Sequence, residues 1–150
     1  MKTGMEWQVS SLEWSRKLEK LGVKQDSEFY WEAKVCSEIN KDDTATVHLD
    51  DVRLVNARAR TLGHGLGSYD RVYSAFTVAE LLDGLPKIIE LGKNQDEWYY
   101  LCVFCDHSIN WCLAYRGING DLYADNTDDT LENALAKAKI HLIEKGLVRV

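Results

Sequence analysis

The sequence predicts an α+β domain: a mostly antiparallel sheet of about four to five strands, N- and C-terminal helices packed on it, and a short helix near residues 78–85. Three observations predict it. Two segments carry apolar stripes at helical spacing and end in glycine, and a third begins with a capping box. Two aromatic-rich runs lie side by side across a short polar break, as the arms of a hairpin do. Finally, a chain of 150 residues that is 45% hydrophobic and 28% charged, with one proline, has the length and composition of one globular domain without linkers.

The first helix is expected over 10–21. Ser10 and Glu13 have capping-box spacing, Val9 and Trp14 flank them as a hydrophobic staple, and Trp14, Leu18 and Leu21 fall on one face. Gly22 supplies a left-handed C′ residue and Val23 the apolar contact that closes a Schellman end. Strands are expected at 28–35 and 46–55. The stretch 40–70 is the least regular part and includes the glycine-rich Gly63-His64-Gly65-Leu66-Gly67. Its spacing is not that of a dinucleotide-binding turn, and no clear helix follows it.

Thr77 and Glu80 form a second capping box, with Phe76 and Leu81 as its staple and Pro86 as the stop. A short strand is expected at 87–91, and the best pair at 97–105 and 109–116, joined at Asp106-His107-Ser108. The first of that pair is apolar on both sides, which predicts a central strand at least partly covered on both faces. The last helix is expected over 130–145, entered through the acidic stretch 125–129. Its stripe is Leu131, Leu135, Ala138 and Leu142, and it ends at Gly146 and Leu147. Ile140 and Ile143 lie off the stripe, so this helix is either covered on two sides or part of a contact surface.

Charge narrows the function classes. A net charge of −6 lacks the basic footprint of generic nucleic-acid binding, and it disfavours anionic membrane surfaces. No apolar run is long enough for a membrane-spanning helix, and the N-terminus has no signal-peptide pattern, so a cytoplasmic location is expected. There, Cys36, Cys102, Cys105 and Cys112 are expected as reduced thiols.

Cys102, Cys105, His107 and Cys112 together offer a zinc donor set. Strand alternation argues against it, because Cys102 and Cys105 would point to opposite faces, and a three-residue loop would set Cys102 across from Cys112. These cysteines are expected to be small buried hydrophobes. A cysteine nucleophile with His107 or His64 as base has no supporting motif, and the acidic stretch lacks the glycine and glutamate of a calcium loop. No catalytic residue, metal ligand or cofactor is expected. A local basic island remains: Arg53, Arg58, Arg60 and Arg71 against the single acid Asp70, with His64 in the intervening loop. It is either a solvated strand edge or a contact surface for a phosphate or acidic partner.

Thr77, Ala79, Glu80, Leu81, Leu85 and Pro86, then the Trp/Tyr-rich strand pair, then Ala124, Asp125, Ala134, Ala136, Lys137, Leu142, Ile143, Glu144, Gly146 and Leu147 form a recognisable order. With the opening KLEKLGVKQDSEFYW, this resembles small uncharacterised phage- and prophage-encoded proteins; 42–69 reads as a variable addition. The resemblance implies a sheet-plus-helix arrangement and a phage or prophage accessory role, and it names no site. The expected function is therefore a non-enzymatic interaction module that binds another protein or itself. The alternative is an acidic inhibitor or immunity-type protein presenting Asp121, Asp125, Asp128 and Asp129 to a basic nucleic-acid-acting enzyme.

Overall fold

The computed structural model describes residues 8–57 and 71–150. Chain order is α1 (Leu12–Lys20), β1 (Phe29–Ile39), β2 (Ala45–Asn56), β3 (Arg71–Ala75), α2 (Val78–Asp83), β4 (Ile88–Glu90), a 3₁₀ turn at Gln95–Glu97, β5 (Trp98–Cys105), β6 (Trp111–Gly117), β7 (Leu122–Asp128) and α3 (Leu131–Glu144). The class is α+β, with every strand pair antiparallel. The seven described strands form two sheets, β2-β1-β3 and β4-β5-β6-β7, where one sheet was expected.

The four-stranded sheet is built on α3. Leu113 and Tyr115 of β6, Ala124 beside them and Leu135, Ala138 and Leu142 of α3 form one buried cluster, which also takes in Leu18 of α1 and Leu81 of α2. Ile140, off the main stripe, is buried in the same cluster, so the two-sided apolarity of α3 is answered inside the fold. Both glycine-terminated ends form as expected. Val23 N–H bonds Leu18 C=O, Leu147 N–H bonds Leu142 C=O, and Gly22 and Gly146 take φ of +86° and +70°.

The two helix starts differ. At Thr77 the capping box closes: Glu80 N–H donates to Thr77 Oγ, and Thr77 N–H donates to Glu80 Oε2 at 2.7 Å. Phe76 and Leu81 are both buried, as a staple requires. At α1 the box does not form. Ser11 is the N-cap and its side chain makes no capping bond. Ser10 lies one residue outside the helix, because Val9 bridges Thr77 and Ser10 N–H donates to Phe76 C=O. Its hydroxyl instead meets Ser15 Oγ at 2.9 Å and accepts Phe76 N–H. Glu13 pairs with Lys17, and Val9 and Trp14 belong to different apolar clusters.

Several strand expectations are corrected. Arg71–Ala75 is a strand, paired with Phe29–Ala33 of β1. Most of the acidic stretch is β7, since pairing with β6 outweighs the low β propensity of Asp and Asn. The β5–β6 loop has five residues, Asp106 to Asn110: Asp106 accepts from Ser108 N–H and Asn110 N–H, and Ile109 adopts φ +64°. That length shifts the register, so Cys112 faces Phe104 and Cys102 faces Ala114.

Beyond residue 33, β1 and β2 continue as a long hairpin. A bulge at its root, between Glu32 and Lys34, holds Asp51 at φ +47°. The distal residues 37–48 are all exposed, Ile39 at 81% and Val47 at 63% among them.

Candidate functional site

Residues that face one another across an antiparallel pair share a side of the sheet. In the four-stranded sheet, Tyr99, Leu101, Leu113, Tyr115 and Tyr123 lie on the α3 side and pack with the core. The other side carries one row straight across all four strands: Ile88 opposite Tyr100, Tyr100 opposite Arg116, Arg116 opposite Leu122. Every member is exposed, with Ile88 at 42%, Tyr100 at 47% and Leu122 at 42%. Phe104, four residues along β5 from Tyr100, extends the row towards the hairpin end; Val103 and Trp111 there are exposed too but share the α3 side with Leu113.

β5 is central and partly covered on both faces, as expected: Tyr99 and Leu101 on the α3 side and Trp98 and Cys102 on the other are partly buried, while Tyr100 and Phe104 are exposed. An antiparallel sheet with one packed and one open side ordinarily alternates apolar with polar residues. β5 does not, and that departure was visible in its sequence, although the direction of exposure was not.

The sheet interior holds the row in place. Tyr115 is fully buried and its hydroxyl donates to Pro86 C=O at 2.8 Å, tying β6 to the turn before β4. Burial pushes its phenol up to about 12. On β7, Asp128 pairs with Lys137 of α3 at 2.6 Å and accepts from Asn133 Nδ2. Burial alone would raise this carboxyl, but its Asp129, Lys137 and Asn133 neighbours hold it below the usual carboxylate range.

The basic island is only partly within view. Arg58, Arg60 and His64 lie outside the described residues. Arg71 is exposed at the start of β3. Arg53 is committed internally: its Nε and Nη2 both donate to Glu32 Oε2, at 3.2 and 3.0 Å, and the Glu32 side chain is only 3% exposed. Of the four carboxylates expected to face a basic enzyme, Asp121, Asp128 and Asp129 are engaged within the chain. Asp121 accepts from Tyr99 Oη at 2.6 Å, and Asp128 is held by Lys137.

The cysteines divide. Cys102 and Cys105 lie an odd number of residues apart on β5 and so take opposite faces. Cys112 is buried, as expected of a small hydrophobe, whereas Cys105 is exposed and Cys36 and Cys102 are intermediate. Among the described residues no three His, Cys, Asp or Glu side chains converge as metal ligands. No described helix is long and apolar enough to cross a membrane.

No protein-family model, curated protein or solved structure matches this chain. An exposed Tyr and Arg flanked by aliphatic side chains has the composition of a protein contact centre, in which Tyr and Arg are enriched. Exposed apolar side chains in one contiguous row, unlike scattered single ones, also mark association surfaces.

Proposed function

We propose that this chain is a non-enzymatic protein-interaction module, whose contact surface is the open side of the four-stranded sheet. The observation that carries the reading is the Ile88–Tyr100–Arg116–Leu122 row, exposed on the side away from the core. A rigid strand backbone presents these side chains at fixed spacing, so little conformational entropy is lost when a partner covers them. On the resemblance of its two ends to phage and prophage proteins, we place it as an accessory protein acting in the host cytoplasm, on another protein or on a second copy of itself.

The test is affinity capture from host cells together with sedimentation of the purified chain across a concentration series. Both are run on the parent and on a Tyr100→Glu/Leu122→Glu variant whose melting temperature matches the parent. Binding or self-association that tolerates high salt and disappears in the variant supports the reading. Capture that is unchanged in the variant places the contact elsewhere and sinks it. Capture lost in high salt from the parent itself favours the acidic-inhibitor alternative.

A further inference from the structure

A second feature is an open cleft of about 340 Å³ lined by residues of α2, α3 and the segments after α1 and α3. This is within the size range of small-molecule sites. Val23, Phe76 and Val148 give it an apolar lining, and its polar groups are Lys24, Asp26, Glu80, Asp83, Lys139 and Arg149. Three of those charges are already satisfied. Lys24 pairs with Asp26 at 2.7 Å. Glu80 accepts from Ser27 Oγ, Glu28 N–H, Thr77 N–H and Thr77 Oγ, between 2.7 and 3.0 Å.

Lys139 and Arg149 are different. Neither makes a hydrogen bond or an ion pair among the described residues, whether with Asp83 or with Val150 at the cleft mouth. The ammonium of Lys139 lies so close over Gly84 that a Cβ there would overlap it. It is half-buried, with three donors and nothing to receive them. Asp83 attracts it from a distance, and burial nevertheless holds its pKa below the ordinary lysine value. A partly desolvated cation without a partner is costly, and an anion that reaches it recovers that cost.

We propose that this cleft binds a small organic monocarboxylate, with Lys139 and Arg149 on the carboxylate and Val23, Phe76 and Val148 against its apolar body. Asp83 and Glu80 on the same rim disfavour a dianion, which sets the charge of the ligand at one. The apolar wall excludes a bare anion as the best ligand.

The probe is sodium hexanoate, followed by the amide shifts of Phe76, Gly84 and Lys139 in a two-dimensional NMR titration. Acetate, 1-hexanol and inorganic phosphate serve as comparators. The expected result is saturable binding with a dissociation constant on the order of 1 mM, weaker for acetate and for phosphate, and absent for hexanol. Lys139→Met, which keeps the aliphatic stem, is expected to weaken hexanoate at least about tenfold. Arg149→Gln, at an exposed position where folding is not at stake, is expected to weaken it several-fold. No saturable shift with hexanoate overturns the proposal. So does hexanoate affinity that is unchanged in Arg149→Gln, or phosphate binding as tightly as hexanoate. Because no residue of the Tyr100 row lines the cleft, the Tyr100→Glu/Leu122→Glu variant keeps hexanoate binding if the site is real.

Discussion

The two sheets make opposite use of their strands. In the four-stranded sheet, side chains carry the fold: Leu113, Tyr115, Leu135 and Leu142 are fully buried, and the backbone ladder is one contribution among several. In the distal half of the β1–β2 hairpin almost every side chain faces solvent, so backbone hydrogen bonds and local turn chemistry do most of the work. Two strands alone are marginal in water. At the tip, Asp42 Oδ1 accepts from Thr44, and Asn40 Nδ2 donates to Thr44 and Thr46, bonds that hold the turn without any apolar core. A sheet that owes its stability to a buried side is intolerant of substitution there. A ribbon without one tolerates substitution.

The largest effect separating the two regions is expected at Leu142. Leu142→Ala removes a fully buried side chain and opens a cavity where α3 meets the sheet, costing about 3–4 kcal/mol. Val47→Ala on the exposed ribbon costs less than about 0.5 kcal/mol. Urea denaturation of both variants measures the ratio; equal costs would abolish the distinction.

At the root of the ribbon, Arg53→Met is expected to cost about 3 kcal/mol, because it removes the two hydrogen bonds that Arg53 gives the buried Glu32 Oε2. Replacing both, as Glu32→Gln/Arg53→Met, is expected to recover part of that loss. A double variant as unstable as the single one would show that the ion pair is not the source.

Tyr115→Phe is expected to cost about 1 kcal/mol at neutral pH by orphaning Pro86 C=O. It also has a pH signature. The folded-state phenol is raised to about 12 from an ordinary 10.0, so the stability it contributes is fully present below pH 10 and is lost as pH rises towards 12. The parent therefore declines more steeply than Tyr115→Phe across that window, which equilibrium unfolding at successive pH values reads directly.

The smallest effects compare the two helix starts. Thr77→Ala removes a closed capping box and is expected to cost about 1 kcal/mol. Ser11→Ala removes a side chain that caps nothing and is expected to cost about 0.3 kcal/mol or less. Thermal melts rank the pair, and the reverse order would show that the Ser11 side chain caps α1 in solution.

The α+β class, the three described helices and the glycine ends of α1 and α3 were legible from residues 10–23, 77–86 and 130–147, because caps, stripes and Schellman contacts act between residues close in sequence. The Thr77 box was legible for the same reason. Ser10 was not: its hydroxyl and backbone are claimed by Ser15 and Phe76, and a partner 66 residues away leaves no mark on local spacing. The open row was legible only in part. Unbroken apolarity marked β5 as unusual, but the exposed side depends on where α3 packs. Arg116 enters the row only through the register with Tyr100 and Leu122.

Local sequence thus determined what each segment is, since helix propensity, capping and alternation are settled over a few residues. Tertiary structure decided the division into two sheets, the pairing of Arg53 with Glu32, the side of β5 left open and the two cations left unpaired in the cleft. Each of these depends on contacts between distant residues, and such contacts are set by packing a whole chain around one core.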